Sequence, residues 1–418
     1  MNKRTFLKGM ALGLPLSGDA LTRWVGRFEH LLPGTLASDE DFWAGIRGNY
    51  RLTPDYINLE NGYYNILPEE TLESLIRHIR EINYEGARYM RTVQFDNKKA
   101  IAARLATLTG CSQEELVITR NTTESLDMII GGIHWKEGDE AIMAQQDYGS
   151  MLRMFRQVAD RYGVVNKVLS VPNHPASDDE LVGLYADAIT PRTRLLMVSH
   201  MVNITGQILP VRRICDMARS RGVAVMVDGA HTIAHIRFAI PDLGCDYFGS
   251  SLHKWLSAPL GTGLLYVRKD RVPGIWPLLP EPDPSISGIG TLNHTGTLPV
   301  YSDLAIGEAI DYYVRLGADR KEARLRYLQQ YWTSRVRDLP HVVVNTPADP
   351  ARACGIANVG VQGMTPAALA DTLLKRYKIY TVAIDGAGVH GCRITPNVFT
   401  RPEELDVLVA ALFDLRKV

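Results

Sequence analysis

Two hydrophobic patterns divide the chain. Short runs with apolar, often β-branched centres (Leu116–Thr119, Ala141–Ala144, Arg194–His200 and Val225–Asp228) have the length and content of strands buried on both faces of a parallel sheet. Between them lie longer stretches whose apolar residues recur at helical spacing. Leu67–Met90 carries Glu69 and Glu70 in its first turn, where acids suit the helix dipole, and places Leu72, Leu75, Ile76, Ile79 and Ile82 on one stripe. Asn97–Leu108 ends at Gly110, a helix starts near Thr123, and Pro210-Val211 opens another through Arg219. Tyr301–Leu316 and Glu322–Leu339 read as long helices, the first linking two domains, and Thr365–Tyr377 as a later one. Pro273–Pro284, rich in proline and without periodicity, reads as a long loop.

Composition narrows the function classes. At 418 residues the chain exceeds one ordinary core, so two domains sharing an interface are expected. The 46 basic and 46 acidic residues cancel, which removes any electrostatic case for nucleic acid. No apolar run is long enough to span a bilayer. The five cysteines are scattered without C-x-x-C or metal-ligand spacing, so no metal is expected. The amino terminus adds a targeting signal. M-N-K-R-T-F-L-K-G-M-A-L-G-L-P-L resembles a twin-arginine export signal, with Lys3-Arg4 where two arginines usually stand and no clear A-x-A site. Periplasmic export of a folded protein is the expectation, and a cytoplasmic amino-terminal arm the alternative.

Candidate chemistry concentrates between Val225 and Trp255. V-M-V-D-G-A-H is a short buried strand with Asp228 at its carboxyl end, and D-Y-F-G-S-S-L-H-K-W puts Lys254 just after another. A lysine amid small and aromatic residues is partly desolvated, which favours the neutral amine that attacks a carbonyl. An acid at a strand end and a poised lysine are the pair that pyridoxal 5'-phosphate (PLP) chemistry needs. The lysine holds the aldehyde as a Schiff base, and the acid keeps the pyridine nitrogen protonated. Either residue alone reads as well as a core acid or a solvated lysine; the surrounding motifs tip the balance. In L-V-I-T-R-N-T-T-E-S, Thr122 and Thr123 open a helix where free N–H groups favour a phosphate and where hydroxyls also cap. Tyr148 follows the strand Ala141–Ala144, placed to stack on a ring or to pack as a wall residue. N-L-E-N-G-Y-Y-N is a polar, aromatic loop containing Asn61, Gly62 and Tyr63.

D-G-A-H and S-S-L-H-K-W resemble, in order and spacing, the cofactor motifs of the class V aminotransferase superfamily of fold-type I PLP enzymes. That family includes cysteine desulfurases, kynureninase-like enzymes and isopenicillin N epimerase, and the chain most resembles the epimerase-like members. The resemblance covers roughly residues 50–415. It implies an α/β fold with a mainly parallel, seven-stranded sheet and helices on both faces in a large PLP-binding domain, 66–300. A smaller α+β domain, 301–418, would follow; a signal-like arm, 1–38, and a segment near the active site, 39–65, would precede. The resemblance makes Lys254 and Asp228 catalytic, with Tyr148 on the pyridine face and His231 beside the phenolic oxygen or substrate. Thr122, Thr123, Ser251, His253 and Asn203 would complete the cofactor site. Thr297, in T-G-T, matches a segment that in relatives reaches the neighbouring subunit's phosphate, which implies a homodimer with shared active sites. Arg393, in C-R-I-T-P-N, would clamp the substrate α-carboxylate through its planar fork, with Asn61 also on the substrate side.

The reaction is where the family divides. Desulfurases carry a reactive cysteine on an R-x-G-x-x-C loop. Here T-V-A-I-D-G-A-G-V-H-G-C-R sets Cys392 beside Arg393 on a strand, so sulfur relay is not expected. The reading is chemistry at the α-carbon of an amino acid or peptide-bound amino acid, by transamination or epimerisation, with Lys254 moving the α-proton. A C–S or C–C lyase, or an enzyme modifying a periplasmic peptide or siderophore precursor, would use the same constellation. A non-catalytic scaffold is the reading from another class; Asp228, Lys254 and Arg393 together speak against it.

Overall fold

The apolar runs become neighbours in one sheet. The computed structural model describes residues 18–283 and 285–417, so the Lys3-Arg4 export motif lies outside the described residues. After β1 (Ile57–Asn58) come β2 (Leu116–Thr119), β3 (Glu140–Ala144), β4 (Val165–Leu169), β5 (Thr193–Ser199), β6 (Ala224–Asp228), β7 (Tyr247–Ser251) and β8 (Gly263–Val267). These last seven stand in the order β2-β8-β7-β6-β5-β3-β4. All run parallel except β8, which is antiparallel to β2 and β7. Alternate residues of β5 pack on opposite layers: Leu196 and Val198 with Ile214 and Ile306, Leu195 and Met197 with Met151 and Phe155. Two covered faces explain why the run is apolar throughout rather than alternating.

The sequence pattern missed β4. It is an edge strand with Val165 and Val168 exposed, so V-N-K-V-L never forms a continuous apolar signal. The expected helix Leu67–Met90 is corrected to two, Glu69–Glu85 and Ala87–Thr92. Between them Gly86, at φ +56°, leaves the right-handed helical region. The apolar stripe of the first helix stays partly uncovered, with Ile79 41% exposed.

The last quarter of the chain makes a second sheet. It contains β9 (Val342–Val344), β10 (Ala357–Val361), β12 (Val382–Gly386) and β13 (Val389–Ile394), in the antiparallel order β12-β13-β10-β9. Its core joins Val359 and Ile394 to Leu328, Trp332, Leu369 and Leu405 from three helices. β11 (Ile379–Tyr380) pairs in parallel with β1, and Glu60 bridges to Thr395 just beyond. This stitches the segment before the large sheet to the far end of the chain. Upstream, the helices Gly18–Gly26 and Glu40–Arg47 bury Leu21, Val25, Phe42 and Trp43 in a cluster that also holds Trp255, Tyr312 and Leu325. Among the described residues no helix is long and apolar enough to cross a membrane.

Candidate active site

In a parallel sheet every strand ends on the same edge, and loops leaving that edge converge. Here Ser199, Asp228 and Ser251 are the final residues of β5, β6 and β7, while Thr122 and Thr123 follow β2 and Tyr148 follows β3. All six line one cavity of about 310 Å³, together with Asn203, His231, His253, Lys254 and Arg393. That volume is at the lower end of the ~300–1,000 Å³ usual for small-molecule sites.

One end is built to hold an anion. The helix Thr122–Gly132 points its amino terminus at the cavity and is capped by Asn121, whose side chain accepts from the Glu124 N–H at 2.9 Å. Because Asn121 caps, neither Thr122 nor Thr123 is needed as the cap, and both line the cavity at the helix start. The Ser251 hydroxyl receives the Thr122 N–H at 3.0 Å and lies 2.7 Å from Thr122 Oγ1. His253 Nδ1 donates to the Thr262 carbonyl at 3.1 Å, and burial holds its pKa down to about 4, so the imidazole is neutral.

The centre holds the acid and the amine. Asp228 is buried and accepts the Ala230 N–H at 2.9 Å. Burial raises its pKa, and no cation is ion-paired to it among the described residues. Such a carboxylate suits a protonated ring nitrogen. Burial pushes the Lys254 ammonium down to about 8 against the pull of Asp228, with Arg393 adding to the shift. Lys254 Nζ lies 3.1 Å from His231 Nε2. The tautomer of that imidazole follows from its other side, where Trp255 Nε1 donates to His231 Nδ1 at 3.2 Å. An indole is a donor only, so Nδ1 carries a lone pair. Burial keeps His231 far below its usual pKa, hence neutral, with its proton on Nε2. That N–H is placed to meet the lone pair of Lys254 once the ammonium has lost its proton, which the lowered pKa of about 8 eases. Asp147, the residue before Tyr148, accepts from Ser199 Oγ at 2.7 Å and from the Ala144 N–H, and burial raises it to about 7.

The far end holds Arg393, on β13. Its Nε donates to Glu60 Oε2 at 3.1 Å, its Nη2 to Glu60 Oε1, and its Nη1 to the Asn203 carbonyl at 3.2 Å. Gly62 packs closely here: a Cβ on it would stand 3.1 Å from the Arg393 Cζ, a tight contact that the guanidinium would have to yield to.

Two expected residues fall elsewhere. Asn61, expected on the substrate side, is fully buried and does not line the cavity; its amide donates to the Thr395 carbonyl at 2.7 Å and accepts from Asn58, which anchors the loop. Gly62 and Tyr63 line the cavity instead. Thr297 is exposed in the stretch before the helix Val300–Leu316 and does not line this cavity. Sequence reasoning overlooked Asn121, Ser199, Asp147, Trp255 and Glu60. The cap was legible in R-N-T-T-E; the partner of Glu60, 333 residues away, was not.

An anion cradle at a helix start, a buried carboxylate with no ion pair among the described residues and a buried lysine of lowered pKa are the donor set PLP requires, and the residues present fit it. The chain belongs to the class V aminotransferases, whose family profile matches residues 66–399, and is a PLP-dependent enzyme. It is 28% identical over 387 residues to the isopenicillin N epimerase of Streptomyces clavuligerus, covering 88% of this chain and 97% of that protein. It is 25% identical over 415 residues to a probable cysteine desulfurase of Xylella fastidiosa, covering 90% and 96%. The fold matches the solved cystine C–S lyase C-DES in complex with its product cysteine persulfide, at a TM-score of 0.78 and 23% identity over 86% of this chain and 98% of that one.

Proposed function

We propose that this enzyme works at the α-carbon of an amino acid or peptide-like amine, in the manner of an aminotransferase or an epimerase. The observation that carries the reading is the Trp255–His231–Lys254 chain, which holds a lysine of lowered pKa, about 8, within the electrostatic reach of the buried Asp228. PLP, when bound, supplies an electron sink for the bond broken at that carbon. Thr122, Thr123 and Ser251 would hold its phosphate, Asp228 its ring nitrogen and Tyr148 a ring face. Lys254 Nζ, freed when substrate displaces it, takes the α-proton and returns it, at a distance and orientation set by His231.

Sulfur relay finds no support. Cys392 is fully buried on β13, its thiol bonded to the Pro366 carbonyl at 3.6 Å and pushed up to about 12 by burial. A thiol so placed offers almost no thiolate. A homodimer belongs to the same proposal: Ile79, Tyr84 and Phe95 are exposed in the single chain, as is Thr297, and a second copy would cover them.

Absorbance spectra of the purified protein with PLP test the reading. The wild type is expected to be yellow, Lys254→Ala to lose that band, and amino acids or their amides to change it. Loss of colour with retained cofactor would favour transamination; inversion of α-configuration would favour epimerisation; release of a thiol or pyruvate would replace both with a lyase. A protein that takes up no PLP would end the proposal.

A further inference from the structure

We propose that Glu60 sets the substrate class of this site. By occupying Arg393 it favours amines whose neighbouring carboxyl is uncharged, as in an amide, ester or peptide, over free amino acids. The inference rests on the proposed α-carbon chemistry and concerns which amine enters.

The Glu60–Arg393 pair is a built feature. Both side chains are buried, at 6% and 8% exposure. The carboxylate meets the guanidinium through both oxygens, and Oε1 also accepts the Tyr63 N–H at 2.9 Å. The Glu60 N–H is tied to Asn58 Oδ1 at 3.0 Å, and Asn61 and Gly62 donate their N–H groups to Thr395 Oγ1. Gly62 packs against the guanidinium, where an added Cβ would stand only 3.1 Å from Arg393 Cζ. Loop 58–63 is thus a cradle around Arg393, with Glu60 as its acid.

A substrate then meets a neutral pair. A second carboxylate arriving at Arg393 would share one cation with Glu60, and in a buried site two like charges on one countercharge are opposed. Expelling Glu60 would cost its contacts to Tyr63 as well as to Arg393. A guanidinium has five N–H groups. Three are spent on Glu60 Oε1, Glu60 Oε2 and the Asn203 carbonyl. The two left over suit a neutral carbonyl oxygen, which adds no charge. Of the other charged groups lining the cavity, Asp228 would face the ring nitrogen and Lys254 is the amine to be displaced, so neither offers a substrate carboxylate a second cation.

The test is a spectrophotometric titration of the PLP-loaded enzyme with matched pairs such as L-alanine and L-alaninamide, with affinities expressed per unprotonated amine. Wild type is expected to bind the amide at least tenfold more tightly than the acid. Glu60→Gln, which keeps the shape and removes the charge, is expected to reduce that preference at least tenfold by strengthening binding of the acid. Free acids bound as tightly as amides by the wild type would overturn the inference even if the variant does not fold. So would an unchanged ratio in a folded Glu60→Gln protein. Failure of the underlying chemistry is a separate result, since it would show as the absence of any Lys254-dependent absorbance band.

Discussion

The two ends of the cavity are assembled in different ways. The anion end comes from short segments that each fold around their own strand end: Asn121–Thr123 after β2, and Ser251–Lys254 after β7. The opposite end is made by Gly62 and Arg393, with Glu60 paired to the guanidinium, where β1 pairs with β11 and Glu60 bridges to Thr395. The first end is a set of local motifs carried by a rigid sheet. The second is a contact between the beginning and the end of the chain, and its geometry depends on how the smaller sheet docks. On the function proposed above, a cofactor held in every turnover belongs on the first kind of construction, and selection among substrates can be left to the second.

Substitutions at the two ends should separate these roles. Asp228→Asn removes the charge opposite the ring nitrogen and should lower turnover by ~10²–10³-fold with the cofactor still bound, the size seen when one preorganised electrostatic partner is lost. Steady-state rates beside PLP content would check it. Ser251→Ala takes away a hydroxyl that also anchors Thr122. PLP should bind ~10–100-fold more weakly, as for loss of a hydrogen bond to a charged group, measurable by cofactor titration of the apoprotein.

The pH dependence is smaller. A lysine pKa lowered to about 8 means that the amine is deprotonated above that pH and protonated below it. The rate at which the apoprotein captures PLP should therefore fall about tenfold per unit below the inflection and level off above it, whereas an ordinary lysine would still be rising toward ~10.4. A stopped-flow pH series showing no break near 8 would contradict the lowered pKa of Lys254. Asn61→Ala should have the least effect on cofactor. It ought to leave PLP affinity unchanged while costing ~1–3 kcal/mol of stability through the orphaned Asn58 and Thr395 partners, visible in chemical denaturation. Weakened PLP binding in that variant would mean that the two ends are coupled.

Much of the fold is legible in the hydrophobic pattern alone. The strands β2, β3, β5 and β6 fall within a residue of their apolar runs because burial on both faces leaves an unbroken signal. Helices with a clear stop are equally plain, such as the one ending at Gly110, which adopts φ +71°. The edge strand β4 and the break at Gly86 are not, since one is half exposed and the other interrupts an apolar stripe without changing it.

The sequence by itself determined the cofactor class and singled out Asp228 and Lys254 as its acid and amine candidates. D-G-A-H and S-S-L-H-K-W are local strings whose residues act within a few positions of a strand end. Only the tertiary structure decided the rest. It put His231 between Trp255 and Lys254, which fixes a tautomer, and it brought Glu60 to Arg393 across 333 residues. Proton positions and ion pairs depend on distances of a few ångströms between segments far apart in the chain, and such distances leave no periodicity or motif in the sequence.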